Sequence, residues 1–132
     1  MVLTLDILIA EDELGILASL DFILKRAGWS VQSVFDGQAA IESVKKLSPK
    51  VLVLDVMLPK KSGFEVLKHL RKESESKDLP ILILTAKGQK RDKELAKELG
   101  ATAFITKPYA NVEVVETVRS LLHKSKDIQG LK

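Results

Sequence analysis

The sequence predicts an α/β domain built on a doubly wound parallel sheet. Three observations carry that prediction. Short apolar runs of β type alternate five times with segments of helical periodicity. The runs Ile7-Leu8-Ile9-Ala10, Val51-Leu52-Val53-Leu54 and Ile81-Leu82-Ile83-Leu84 are apolar throughout, as in strands covered on both faces. A chain of 132 residues and 14.6 kDa holds one ordinary domain and no second.

The elements follow in order. The first strand candidate is Leu5-Asp6-Ile7-Leu8-Ile9-Ala10. A helix is expected over 13–27, because Ile16, Leu17, Leu20, Ile23, Leu24 and Ala27 share one helical stripe, and Gly28 follows as a C-terminal cap signal. Ser30-Val31-Gln32-Ser33-Val34 alternates like an edge strand. Asp36 can cap a helix over 37–47, with Ala40, Ile41, Val44 and Leu47 inward. After the third strand, Val51-Leu52-Val53-Leu54, Ser62 and Glu65 have capping-box spacing for a helix over 63–73. Ile81-Leu82-Ile83-Leu84 precedes a helix over 88–99 that ends at Gly100. Ala103-Phe104-Ile105 forms the core of the fifth strand, and Asn111 can cap a helix over 112–123 whose Val112, Val115, Val118 and Leu122 recur at helical spacing. The domain is therefore expected to span 1–123, with 124–132 a basic, aperiodic tail or linker stub. The order βαβαβαβαβα implies parallel strands, right-handed crossovers and helices on both faces.

Composition excludes several functions. The chain is 45% hydrophobic and 30% charged, a globular balance. It contains no cysteine, which excludes a disulfide scaffold, thiol catalysis and cysteine-ligated zinc or iron–sulfur centres. His69 and His123 lie far apart, against a histidine-rich metal site. No apolar run reaches membrane-spanning length, and the N-terminus lacks the basic start and small-residue cleavage site of a signal peptide. A cytoplasmic protein without membrane contact is the expectation. The net charge of +3 hides −5 in the first 24 residues, from Asp6, Glu11, Asp12, Glu13 and Asp21. A pI near 9.1 suggests nucleic acid as a partner. Yet the lysines alternate with acids, as in Lys90-Arg91-Asp92-Lys93-Glu94, and no aromatics interleave to stack on bases. Solvated helix faces account for them, and direct nucleic-acid binding is not expected.

Open parallel α/β sheets bind ligands outside the carboxyl ends of their strands. Strand one ends in Glu11-Asp12-Glu13, strand three in Asp55, strand four in Thr85 and strand five in Thr106-Lys107-Pro108. Glu11, Asp12 and Asp55 converge on one cleft if strands one and three are neighbours. Carboxylates that close repel, which raises a pKa or demands a cation. Two or three of them with open positions suit Mg2+ bridging to a phosphate. Lys107 can pair with Asp55 and then with a phosphoryl oxygen, and the Thr85 hydroxyl can bond another. An aspartate can itself attack phosphorus. Singly, each residue has a structural explanation: a turn cap at Asp55, a solvated turn at Lys107-Pro108, and acids favouring a helix N-terminus at Glu11-Asp12-Glu13. Glu13 is expected to do only that. Their joint placement after four strands favours chemistry.

The ordered set Ile9-Ala10-Glu11-Asp12-Glu13, Val53-Leu54-Asp55-Val56-Met57-Leu58-Pro59, Ser62-Gly63, Leu84-Thr85-Ala86, Gly100-Ala101 and Phe104-Ile105-Thr106-Lys107-Pro108 resembles the receiver domain of two-component response regulators. The resemblance covers nearly the whole chain. It implies a flavodoxin-like fold with a five-stranded parallel sheet of order 2-1-3-4-5. It implies that Asp55 accepts a phosphoryl group from a phosphohistidine on a sensor histidine kinase or phosphotransfer protein. By the same carry-over, Asp12, Asp55 and the Met57 backbone carbonyl ligate Mg2+, and Glu11 acts through a water. Lys107 and Thr85 meet the phosphoryl group. Thr85 and Phe104 form a switch pair, read on a face of helix four, strand five and helix five near 88–121 by a downstream partner or output domain. The family often has a cis bond at the position of Lys107-Pro108. Met57 and Lys87 occupy positions that tune hydrolysis of the acyl phosphate. Such a domain is a phosphoacceptor that transfers and removes its own phosphoryl group, not an enzyme with a separate substrate.

Some positions depart from the family pattern. The acidic pair is Glu11-Asp12 rather than Asp-Asp, a variant expected to keep metal binding. Phe104 replaces the frequent tyrosine and offers no hydroxyl. Gly100-Ala101-Thr102-Ala103 lacks the acids usual in the winged-helix transcription-factor subfamily, which weighs against that subfamily's salt-bridged dimer and leaves homodimerisation open. Three other functions compete. A flavin carrier would need a phosphate-cradling loop after strand one, where Glu11-Asp12-Glu13 would repel phosphate. A phosphorylation-independent interaction module would not need Asp12, Asp55, Thr85 and Lys107 together. A hydrolase would need a substrate pocket or cap domain, of which the sequence gives no sign.

Overall fold

The computed structural model describes residues 4–85 and 90–130, with side chains through residue 123. Five strands and five helices alternate: β1 (Ile7–Ala10), α1 (Leu14–Arg26), β2 (Val31–Val34), α2 (Gly37–Leu47), β3 (Val51–Asp55), α3 (Gly63–Lys72), β4 (Ile81–Thr85), α4 (Lys90–Glu98), β5 (Ala103–Thr106) and α5 (Asn111–Gly130). The sheet is parallel throughout, in the order β2-β1-β3-β4-β5. This is the flavodoxin-like order that the resemblance implies.

The period-two geometry of a strand explains why the central runs are apolar at every position. Leu8, Ala10, Leu52, Leu54, Ile81 and Ile83 face one way and pack with Ala40 and Val44 of α2, Val66, Leu67 and Leu70 of α3, and Ala96 of α4. Ile7, Ile9, Val51, Val53, Leu82 and Leu84 face the other way, onto Leu17, Leu20 and Leu24 of α1 and Val114, Val118 and Leu121 of α5. Each fully buried Leu or Ile contributes about 1.5–3 kcal/mol from burial, so both faces stabilise the sheet.

Local signals place most helix ends. The Asp36 side chain accepts a hydrogen bond from the Ala39 N–H at 2.7 Å and caps α2. Ser62 and Glu65 form both halves of the capping box on α3. Gly28 and Gly100 adopt positive φ, +103° and +95°, just beyond α1 and α4, the left-handed turn that ends a helix most readily at glycine. Glu13 precedes α1 but its side chain makes no cap bond.

Three expectations need correction at the C-terminal helix. α5 includes Asn111, so that residue lies in the helix rather than capping it. Its fully buried stripe is Val114, Val118 and Leu121; the expected Val115 and Leu122 pack partly buried against the same core, and Val112 is 64% exposed. Valines at 112, 114, 115 and 118 satisfy more than one helical stripe, and docking against the α1 side of the sheet selects between them. The helix also runs on to Gly130, so the segment 124–130 continues it instead of forming an aperiodic tail; once nucleated, a helix extends at little cost through ordinary polar residues. Among the described residues, no helix is long and apolar enough to cross a membrane.

Candidate functional site

β1 sends the chain to β2 on one side and pairs with β3 on the other. That reversal opens a crevice at the carboxyl edge of the sheet. The ladders reach one residue further than the apolar runs, so Asp55 and Thr85 are the last residues of β3 and β4.

Asp55 is only 3% exposed. Its Oδ1 accepts a hydrogen bond from the Met57 N–H at 3.0 Å, and its Oδ2 accepts one from Lys107 Nζ at 2.7 Å. Lys107 is positioned from the end of β5, where its own N–H donates to the Thr85 carbonyl at 2.7 Å. The Lys107–Pro108 peptide bond is cis. Burial opposes the Lys107 ammonium, but the hydrogen bond to Asp55 and the charges of Asp55 and Glu11 outweigh it and hold its pKa above the ordinary value.

Glu11 is 1% exposed. Its Oε2 accepts from the Glu13 N–H at 3.1 Å. Its Oε1 lies 3.7 Å from Lys107 Nζ and has no hydrogen-bond partner. Burial, together with the neighbouring Asp55 carboxylate, pushes the Glu11 carboxyl up to about 7. The two buried carboxylates thus share one ammonium, and an oxygen is left over.

The remaining candidates surround this cluster. Asp12 follows Glu11 and is exposed. Met57 is exposed on the loop after β3. Thr85 is buried, and its hydroxyl donates to Thr106 Oγ1 at 3.3 Å. Phe104 is half-buried against the α4 side of the core, with Lys93 Nζ 4.9 Å and Lys97 Nζ 5.6 Å from its ring centroid. Lys87 and Ala86 lie outside the described residues. Thr106 had no role in the sequence reading. Only the register that sets it opposite Thr85 exposes the pairing of the two hydroxyls.

A groove of about 620 Å³ opens beside Lys107, lined by Glu13, Gly15, Ile16, Ser19, Tyr109 and Asn111 among others. A separate cavity of about 550 Å³ between α2 and α3 contains none of the residues above.

The donor set suits a hard divalent cation. Buried carboxylates crowded together, one oxygen without a hydrogen-bond partner and an exposed acid beside them are oxygen ligands short of positive charge. Among the described residues, no three His, Asp or Glu side chains are arranged to hold a metal by themselves. A cation here therefore draws on backbone carbonyl and water as well. Asp12, Asp55 and the Met57 carbonyl are candidates to hold it, with Glu11 close enough to contribute.

Fold and site together define a receiver domain. The chain matches the family described as "Response regulator receiver domain" over residues 7–119, and it belongs to that family of two-component systems. It is 42% identical over 119 residues to the alkaline phosphatase synthesis transcriptional regulatory protein PhoP of Bacillus subtilis (strain 168), an alignment covering 90% of this chain and 49% of the relative. The chain thus spans about half the length of that curated relative. Among solved structures, the Vibrio cholerae chemotaxis protein CheY4 superposes with a TM-score of 0.82 at 29% identity, covering 90% of this chain and 99% of that one. The receiver domain of the Francisella response regulator 1452 gives 0.86 at 26% identity, covering 92% and 99%. Receiver domains of this family generally use Mg2+.

Proposed function

We propose that Asp55 is the phosphoacceptor of a signalling switch. A carboxylate oxygen of Asp55 attacks the phosphorus of a phosphohistidine on a sensor histidine kinase or phosphotransfer protein. The P–N bond breaks, and the imidazole leaves with a proton. Lys107, already 2.7 Å from Asp55 Oδ2, meets the charge on the transferred oxygens, and the Thr85 hydroxyl supplies a second donor. Mg2+ bound by Asp12, Asp55, the Met57 carbonyl and the Glu11-held water would neutralise the incoming phosphoryl oxygens. The domain turns over no separate substrate; water later hydrolyses its own acyl phosphate and resets it, with Met57 and Lys87 tuning that rate.

The observation that carries this reading is the buried Asp55 carboxylate held between the Lys107 ammonium and the crowded, partly unpartnered Glu11. The groove beside Lys107 supports approach of a donor domain there. The signal passes through Thr85 and Phe104 to α4, β5 and α5, where a downstream partner or an output domain reads it in the cytoplasm.

The test is intact mass. Wild type incubated with Mg2+ and a small phosphodonor gains one phosphoryl group; Asp55→Asn gains none, and EDTA abolishes the gain. Absence of any adduct on wild type, with no spectral response to beryllofluoride, overturns the reading in favour of an interaction domain.

A further inference from the structure

The loop between β3 and α3 carries both contacts that the site needs from Met57: the N–H that orients Asp55 and the carbonyl assigned to the cation. Its shape is not maintained by its own sequence alone. Lys60 sits at φ +67°, a left-handed conformation that lysine does not favour. The Leu58 and Gly63 N–H groups both donate to the Val56 carbonyl, at 3.2 and 2.9 Å, folding the loop back on the end of β3. The remaining restraint comes from a different element, the start of α2.

Gly37 is the first residue of α2 and is buried. Its N–H donates to the Pro59 carbonyl at 3.1 Å, an oxygen that also accepts from the Lys61 N–H at 2.7 Å. A Cβ on Gly37 would fall on the Lys61 carbonyl oxygen, and within 2.7 Å of both the Lys61 carbonyl carbon and Cβ. The neighbouring Asp36 carboxylate lies 3.8 Å from Lys60 Nζ. From the other end, a Cβ on Gly63 would fall on the Asp55 carbonyl oxygen and 2.8 Å from Val56 Cα. The loop is thus seated between two glycines, one of them on a helix with no other part in the site.

We propose that Gly37 is a positioning residue for the phosphoacceptor site: its missing side chain admits the Lys61 carbonyl and seats the 57–62 loop so that Met57 can orient Asp55. This rests on the reading of Asp55 as a Mg2+-dependent acceptor. It assigns the start of α2 a role in that chemistry.

The test compares Gly37→Ala with wild type and with Lys46→Ala, an exposed position near the far end of the same helix. Four readouts are taken: Mg2+ affinity by calorimetry, phosphoryl uptake from a small donor, hydrogen exchange at the Met57 amide, and Tm. Folded Gly37→Ala is expected to bind Mg2+ about tenfold or more weakly, the scale of losing an outer-shell support. It should also take up phosphoryl more slowly and lose protection at Met57. Lys46→Ala should match wild type in binding and exchange. A folded Gly37→Ala with wild-type Mg2+ affinity and Met57 exchange overturns the inference, whatever its Tm. If Gly37→Ala does not fold, the wild-type Gly37 amide, which donates to the Pro59 carbonyl, is read instead by native-state hydrogen exchange beside that of Met57. Loss of Met57 protection in the openings that expose the Gly37 amide is expected, and a Met57 amide that stays protected through them refutes the proposal. A wild type that neither binds Mg2+ nor takes up phosphoryl overturns the assigned chemistry instead, while Met57 exchange, which needs no metal, still decides the role of Gly37 in the loop.

Discussion

Replacing Glu11 with Gln should stabilise the metal-free protein. Glu11 is buried, its Oε1 has no hydrogen-bond partner and only the Lys107 ammonium at 3.7 Å, and it lies against Asp55. Its carboxyl is raised from 4.5 to about 7. A carboxyl raised in the folded state makes folding weaker as pH climbs from the unfolded value to the folded one, because the unfolded chain releases its proton first. At 1.36 kcal/mol per unit, this corresponds to about 3 kcal/mol of stability lost by about pH 8 relative to about pH 4. Glu11→Gln removes the charge. Its amide oxygen can still accept from the Glu13 N–H, and its NH2 can donate toward Asp55. Urea denaturation in EDTA should therefore find the variant more stable than wild type by about 3 kcal/mol near pH 8, with the gap closing toward pH 5. Added Mg2+ should narrow the gap at pH 8 by binding the folded wild type. A variant equal to or less stable than wild type at pH 8, or a gap that widens in acid, refutes the reasoning.

Further outcomes follow from other contacts. Lys107→Met removes the one ammonium paired with Asp55 among the described residues and should slow phosphoryl uptake about 10²- to 10³-fold, the scale of losing one preorganised donor; time-resolved intact mass reads this. Asp6→Ala removes the acceptor for the Ser30 N–H at 2.9 Å and the ion pair to Lys50 at 3.3 Å, and should cost about 1–2 kcal/mol in denaturant at neutral pH. Burial alone would raise the Asp6 carboxyl, but Ser30 and Lys50 hold it below its ordinary value of 3.8. The stability it contributes is therefore complete above that value and drains only as pH falls through the lower folded one, so the gap should narrow in strong acid. Leu54→Ala in the central strand, fully buried, should cost about 3 kcal/mol and roughly 10 °C in Tm by calorimetry.

What the sequence made legible was whatever is determined locally. Strands buried on both faces write themselves as unbroken apolar runs, and the caps at Asp36 and at Ser62 and Glu65 act within three residues. The convergence of Glu11, Asp55 and Lys107 was legible because each directly follows such a run, so the topology alone carries them to one edge. The rest depends on contacts between distant segments. The inward face of α5 was ambiguous among four valines until the helix docked. The Thr85–Thr106 pair exists only through the β4–β5 register. Gly37 reads as an ordinary first residue of a helix until the Lys61 carbonyl is found where its side chain would be.

The site concentrates electrostatic strain where two central strands end, and the apolar packing on both faces of those strands makes that strain tolerable. Under the proposed reading, phosphorylation adds negative charge to a pocket that already holds two buried carboxylates and one ammonium. The added charge must be met by a bound cation and by a further hydrogen-bond donor. The nearest donor on β4 is the Thr85 hydroxyl, which now spends its proton on Thr106 at 3.3 Å, long for a bond between two hydroxyls. A phosphoryl oxygen is the stronger acceptor because it is charged. Exchanging one for the other therefore has a favourable direction that stems from the geometry of the resting site. Vacating the space beside Thr106 is what would give Phe104, on the same strand, somewhere to move.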